Sequence, residues 1–305
     1  MVELSREEKK QIILNKEQQS ILDVFRKDFI EDKAESYLIH GITGSGKTEV
    51  YMGMIENILD AGKQAIVLIP EIALTFQTVM RFYGRFGNKV SIIHSKMSAG
   101  ERHDQMERAK NGEISVMIGP RSAVFTPFSN LGIIIIDEEH EGSYKSETSP
   151  KYHAREVAKK RCEMSNAALV LGSATPSIES YFQASCGTYK LLKLPNRIND
   201  SRLATVQVVD LRKELKEGNR SVLSRELKAQ MQNALDKNEQ MMLFLNRRGH
   251  TGFISCRSCG HVLKCPHCDV SLTFHKDGRM KCHYCGYEQS VVKNCPECGS
   301  PYIGG

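Results

Sequence analysis

Two segments of this chain carry residue types suited to holding and splitting a nucleoside triphosphate. The first is Gly41-Ile42-Thr43-Gly44-Ser45-Gly46-Lys47-Thr48, which has P-loop spacing. Its glycines permit a tight turn that aims backbone N–H groups at phosphate oxygens. A helix opening at Thr48 adds partial positive charge there. Lys47 is expected to reach the β- and γ-phosphates, and the Thr48 hydroxyl to ligate Mg²⁺. The second segment is Asp137-Glu138-Glu139-His140, which closes the apolar run Ile133–Ile136. Asp137 is placed to hold Mg²⁺ and Glu138 to polarise the attacking water as general base. Lys47, Asp137 and Glu138 are the catalytic candidates; residues 41–48 are the candidate ATP-binding loop.

A different chemistry sits near the C-terminus. Eight of the ten cysteines fall in four Cys-x-x-Cys pairs: Cys256/Cys259, Cys265/Cys268, Cys282/Cys285 and Cys295/Cys298. A tetrahedral zinc takes two such turns, so eight thiolates predict two Cys₄ sites. Three ways of pairing the turns exist. The stretch Asp269–Lys281 has hairpin length and contains Asp277-Gly278 as a turn, which favours joining the two inner pairs. His261, His267, His275 and His283 are then spare. Cys162 and Cys186 stand alone and read as helix-packing residues.

These groups need a scaffold. Ser36–His40, Gln64–Ile69, Val90–His94, Ile114–Ile118, Ile133–Asp137 and Ala168–Leu171 have the apolar density of strands buried on both faces. Thr48–Ala61, Ile72–Phe86, Ser98–Asn111 and Ala154–Ser165 between them have helical character. The alternation predicts an α/β fold with a doubly wound parallel sheet, whose ligands bind beyond the carboxyl ends of the strands. A polar break at Pro195–Arg202 precedes a predicted strand (Thr205–Leu211), helix (Leu223–Leu235) and strand (Met241–Leu245). The expected division is 1–195, a nucleotide-binding lobe; 196–250, the start of a second α/β lobe; and 251–305, a zinc-binding module.

At 305 residues the chain is long enough for two compact units. The net charge of +6 is compatible with a polyanionic partner without demanding one. From Leu245 to Gly305, eight Lys/Arg stand against four Asp/Glu. Two tetrathiolate zinc sites would add −4 and leave that module near neutral. The stretch Met1–Lys10 is charged, unlike a secretory signal, and the run Ile133–Ile136 is far too short to span a bilayer. No membrane association is expected.

The order of signals resembles helicase superfamily 2, with a RecA-like P-loop lobe. Leu14-Asn15-Lys16-Glu17-Gln18 looks like its adenine-reading motif, with Gln18 as reader; Asn15 and Gln18 also have capping-box spacing. Pro70-Glu71-Ile72-Ala73-Leu74-Thr75, Gly119-Pro120-Arg121-Ser122-Ala123 and Gly172-Ser173-Ala174-Thr175-Pro176 look like motifs Ia, Ib and III. A closer resemblance, over nearly the whole chain, is to the bacterial primosomal replication-restart helicases. It rests on Asp137-Glu138-Glu139-His140, on the loop from Ser143-Tyr144-Lys145 to Lys151-Tyr152-His153-Ala154-Arg155, on Gly119–Ala123, and on Asn246-Arg247-Arg248-Gly249 leading into the cysteines.

The resemblance implies an ATP-dependent 3′→5′ DNA helicase of the primosome, acting in the bacterial cytoplasm to restart stalled forks. ATP, Mg²⁺ and two Zn²⁺ are the implied cofactors. Single-stranded and branched DNA, other primosome proteins and single-strand-binding protein are the implied partners. It places Thr75, Arg121, Tyr144, Lys145, Tyr152, Arg155 and Arg247 at DNA. It also implies nested zinc sites: Cys256, Cys259, Cys295 and Cys298 in one, Cys265, Cys268, Cys282 and Cys285 in the other. In that family a second lobe supplies an arginine to the transferred phosphoryl group. The chain is expected to be a truncated segment ending near the start of motif V, with weak Mg·ATP binding and slow hydrolysis by itself. The alternatives are another superfamily 2 translocase and a zinc-organised docking platform. DNA-stimulated ATPase activity separates motor from platform.

Overall fold

The computed structural model describes residues 14–70, 73, 75–198, 204–244, 252, 254–275 and 278–304. The chain divides into two compact units, Met1–Arg202 and Leu203–Gly305.

The first unit is built on seven strands: β1 (Ser36–Gly41), β2 (Gln64–Leu68), β3 (Val90–Ile92), β4 (Val116–Gly119), β5 (Leu131–Asp137), β6 (Ala168–Ser173) and β7 (Lys190–Leu194). They form one parallel sheet in the order β3-β4-β2-β5-β6-β1-β7. Parallel neighbours need crossovers, and helices supply most of them. These helices are α2 (Lys47–Asp60), α3 (Phe76–Phe86), α4 (Ala99–Lys110), α5 (Ala154–Ser165) and α6 (Ile178–Ser185), while α1 (Lys16–Ile30) precedes β1. Because both faces are covered, alternate residues of one strand enter different cores. Ile133 and Ile135 of β5 pack with Val50, Met54 and Phe25, whereas Ile134 and Ile136 pack with Ala154, Ala158 and Cys162. That explains the continuous isoleucine run, which an exposed face would have interrupted.

The sheet order positions the chemistry. β5, β6 and β1 are neighbours, and in register Asp137 lies opposite Gly172 and Ser173 opposite His40. The ends of motifs II and III and the P-loop therefore open on the same edge of the sheet. Gly53 brings α1 against α2: a Cβ there would lie 2.6 Å from Leu22 Cδ1.

Several boundaries differ from expectation. The helix predicted from Ile72 begins at Phe76, where the Thr75 side chain caps it by accepting the N–H of Thr78; Glu71, Ile72 and Leu74 lie outside the described residues. Helix α6 and strand β7 were not anticipated, and of α1 only its start, the capping box at Asn15, was. α1 buries Gln18, Ile21, Leu22 and Phe25 on one stripe.

In the second unit, α7 (Leu211–Lys216) is capped by Asp210 and α8 (Arg225–Asp236) by Ser224. The predicted strand Thr205–Leu211 is irregular through Asp210, and Leu211 opens α7 instead. Val208 is 91% exposed, and among the described residues no strand pairs with this segment, so its alternating valines have no ladder to join. Met241–Phe244 is likewise irregular and exposed; Leu245 lies outside the described residues, as do Asn246-Arg247-Arg248-Gly249 and Asp277. The rest of the unit is a short-stranded module. β8 (Ser255–Cys256) pairs with β12 (Ile303–Gly304), and β9 (Thr273–Phe274), β10 (Arg279–Lys281) and β11 (Glu288–Ser290) form an antiparallel sheet. Its core is little more than Ile254, Leu263, Leu272, Met280 and two cysteines, Cys265 and Cys282.

Candidate nucleotide and zinc sites

At the end of β1 the chain turns through Gly44 and Gly46, both at φ +82, a left-handed conformation costly to any residue with a Cβ. Close packing adds to the constraint at Gly46, where a Cβ would come within 2.2 Å of Gln18 Nε2. Lys47 opens α2 and its ammonium donates to the Gly41 carbonyl at 2.9 Å. It lies 3.7 Å from Glu138 Oε1. Lys47 and Glu138 come from loops that follow different strands, so their meeting is a product of the sheet order and not of sequence proximity.

Tyr51, which the sequence reading missed, connects the two segments further. It lies one turn beyond Thr48 on α2, on the same helix face, and its hydroxyl donates to Asp137 Oδ1 at 3.0 Å. Burial drives the Tyr51 phenol well above its ordinary pKa, with Asp137 adding to the shift. Burial also raises the Asp137 carboxyl, as does the charge of Glu138, while the hydrogen bond from Tyr51 and the charge of Lys47 pull the other way. The only signal for Tyr51 in sequence is its helical offset from Thr48, which says nothing of Asp137 until β5 is placed.

Gln18 does two jobs at once. Its Oε1 accepts the Asn15 N–H and its Nε2 donates to the Ser45 carbonyl at 3.1 Å. The capping box is thus formed, and the same amide grips the P-loop. His140 Nδ1 lies 2.7 Å from Ser173 Oγ, linking motif II to motif III.

The residues expected at DNA separate into two groups. Thr75 and Lys145 are exposed, and Tyr152 is half-buried edge-on against the exposed ring of Phe125, with centroids 5.1 Å apart. Arg121 donates to the carbonyls of Ser143 and Lys145, at 3.1 and 2.8 Å, and so holds the loop after motif II. Tyr144 is a correction. It is 1% exposed, and its hydroxyl donates to the carbonyls of Leu68 and Asp137 at 3.0 and 2.6 Å, leaving no ring face for a base. Arg155 is engaged largely inward: its Nη1 donates to Glu139 Oε2, Ser177 Oγ and Ser180 Oγ at 3.1, 3.1 and 2.9 Å, while its Nε lies 3.4 Å from the exposed Glu156 carboxylate. Arg247 lies outside the described residues.

The eight thiols gather into two sets, Cys256/Cys259/Cys295/Cys298 and Cys265/Cys268/Cys282/Cys285, each with its sulfur atoms within 4.8 Å of one another. Sulfur–sulfur separations of 3.6 Å (Cys256 to Cys298), 3.7 Å (Cys259 to Cys295) and 3.5 Å (Cys265 to Cys285) approach the roughly 3.8 Å edge of a tetrahedron with Zn–S bonds of about 2.3 Å. The nested pairing is the one realised. Every turn is built alike. The N–H four residues on donates to the first cysteine's carbonyl, from Gly260, Asp269, Gly286 and Gly299, and each donor residue has positive φ. None of the four histidines joins a thiol set; His267 packs on Tyr287 and His275 on His283. Cys162 is buried as expected, but Cys186, at the end of α6, is exposed.

The residues present also fit a magnesium nucleotide. Two left-handed glycines shape the loop, the Ser45 hydroxyl is buried without a partner among the described residues, and a lysine lies near the two carboxylates at the end of β5.

A seven-stranded parallel sheet with a P-loop facing an Asp-Glu-Glu-His turn defines a P-loop nucleotide-binding lobe. The DEAD/DEAH box helicase family model matches residues 15–183, and the chain belongs to that family. A second model, the PriA DNA helicase Cys-rich region domain, matches residues 265–289. The particular kinship is with replication restart protein PriA. The chain is 51% identical to that of Bacillus subtilis (strain 168), over 95% of this chain and 36% of the relative. With that of Synechocystis sp. it is 49% identical, over 87% and 33%. The chain thus spans about a third of the length of these relatives. Among solved structures, RecG bound to a three-way DNA junction matches with a TM-score of 0.45 at 24% identity, covering 68% of this chain and 28% of that one.

Proposed function

We propose that this chain is the ATP-binding and zinc-binding part of a 3′→5′ DNA helicase that acts on branched DNA to restart stalled replication forks in the bacterial cytoplasm. Residues 196–250 begin a second motor lobe in this reading, and single-strand-binding protein and other primosome proteins are the partners. Membership of the helicase family and kinship with PriA support it. Among the described residues no helix is long and apolar enough to cross a membrane.

The observation that carries the reading is the approach of Lys47 to Glu138 at 3.7 Å, with Tyr51 fastening Asp137 beside them. Lys47 and the backbone of residues 41–48 would hold the phosphates, Gln18 the base, and Thr48 with Asp137 the magnesium. Bound Mg²⁺ supplies charge neutralisation at the transferred phosphoryl group. Glu138 takes the proton of the attacking water. Two Zn²⁺ would occupy the cysteine sets.

The test is Lys47→Ala. Mg·ATP binding by the chain is expected to weaken roughly tenfold or more, with the zinc content unchanged. In the full-length reading frame the same change is expected to abolish DNA-stimulated hydrolysis and unwinding. Undiminished nucleotide affinity would remove the phosphate-site assignment.

A further inference from the structure

Glu138 sits at φ +47, a left-handed backbone rare for a residue with a side chain. Such a conformation persists where its surroundings over-determine it. The next residue does so. The Glu139 N–H donates to the Gly172 carbonyl at 3.0 Å. Its carboxylate, fully buried, accepts the Ser177 N–H at 2.7 Å, the Ser177 hydroxyl at 3.1 Å and the Ser180 hydroxyl at 2.8 Å. Arg155 neutralises that carboxylate and donates to both hydroxyls as well.

We propose that Glu139 and Arg155 are positioning residues: a buried hub that fixes the left-handed turn at Glu138 and ties it to the 145–153 loop and to α6, with Arg155 making no contact to DNA. Three elements meet in it. Glu139 follows β5; Ser177 is the N-cap of α6; Arg155 lies in the first turn of α5, directly after the loop. The loop end is itself anchored, since the Ser146 N–H donates to the Tyr152 carbonyl and the Arg155 N–H to His153 Nδ1. A shift of this loop must therefore move the guanidinium, and the guanidinium cannot move without releasing Glu139. All three bonds come from one guanidinium nitrogen, Nη1, and a lysine ammonium ends one bond short of that position, so it does not reach the carboxylate and both hydroxyls together.

This role presupposes the DNA-stimulated ATPase proposed above, but one of its readouts does not. Arg155→Lys retains the charge and loses the reach of Nη1; Arg155→Ala loses both. Three measurements on the full chain separate a hub from a phosphate contact. The first is amide hydrogen exchange at Glu139, Ser177 and Ser180. The second is the salt dependence of binding to an oligo-dT strand. The third, in the full-length protein, is ATP hydrolysis against DNA concentration. The hub predicts that Arg155→Lys speeds exchange at these amides roughly tenfold or more. Both variants keep the wild-type salt slope. Their kcat falls about tenfold or more while half-saturating DNA stays within about twofold. Unchanged exchange in Arg155→Lys overturns the proposal, as does a salt slope lowered by about one in Arg155→Ala. Should the full-length wild type show no DNA binding or stimulation, the motor reading fails, and the exchange result still decides whether the hub exists.

Discussion

Gly172 is glycine because Tyr51 occupies the space a side chain would need: a Cβ there would lie 1.6 Å from the tyrosine hydroxyl oxygen. That oxygen is the one bonded to Asp137. Gly172→Ala must therefore expel the phenol and take the carboxylate's donor with it. Overpacking of this kind costs about 1–3 kcal/mol, and thermal unfolding should register it as a lowered Tm. Tyr51→Phe should leave Tm closer to wild type while raising the Mg²⁺ concentration needed for nucleotide binding. Equal Tm for Gly172→Ala and wild type would show that the phenol lies elsewhere. At this scale the sequence was clearest where function resides in a contiguous string. The P-loop and the Asp137-Glu138 pair could be read directly, because consecutive residues define their chemistry. Tyr51 could not, since its partner is 86 positions away. The burial of Tyr144 and the inward bonding of Arg155 went unread for a related reason. An aromatic and a cation beside a loop suit a nucleic-acid surface, and nothing local reveals that one is capped by carbonyls and the other by a carboxylate.

Between elements, charge does some of the packing. Glu49, buried on α2, takes salt bridges from Arg81 and Arg85 of α3, and Arg85 also holds Glu56 at 2.7 and 2.8 Å. These bonds fasten the helix after the P-loop to the helix after motif Ia. Glu49→Ala is expected to destabilise the first unit by about 1–3 kcal/mol, measurable by denaturant titration; an effect near zero would mean that α3 is held by its apolar contacts alone. The cysteine turns give a second case. Three carry glycine at the left-handed position and one carries Asp269, at φ +55. Asp269→Gly should stabilise the module by up to about 1 kcal/mol, the left-handed penalty an aspartate partly escapes, since the exposed ion pair it forfeits with Lys264 is worth little. Gly260→Ala should cost about 1–2 kcal/mol. The reverse order in thermal melts would contradict this account of the turns. Long apolar strands and their helices were legible because burial on two faces leaves a dense apolar string. β7 was not, as its five residues are mostly half-buried and include two lysines. Thr205–Leu211 misled in the opposite direction: it has strand composition without a strand beside it.

For the molecule as a whole, the two units hold together by different means. The first has extensive apolar clusters on both faces of its sheet, whereas the module in the second has a handful of buried side chains. Structural zinc is typically worth on the order of 10 kcal/mol or more per site. Chelation should therefore unfold residues 254–304 and leave the sheet intact. It should also loosen the α7–α8 connection, because Arg257, inside the first cysteine turn, donates to the carbonyls of Arg220 and Ser221. Hydrogen exchange with and without chelator checks this, and persistent protection of the module without metal would refute it.

The two thiol sets close like brackets within brackets, and brackets impose an order. Thirteen residues separate Cys268 from Cys282, whereas thirty-five separate Cys259 from Cys295. By loop length alone, the wider closure is harder by about 0.9 kcal/mol, and completing the narrow one first shortens the chain that the wide one must span. The first ion captured should therefore favour the inner quartet and prepare the outer for the second. Damage should then spread in one direction: Cys265→Ser should weaken capture of both ions, Cys256→Ser of only one.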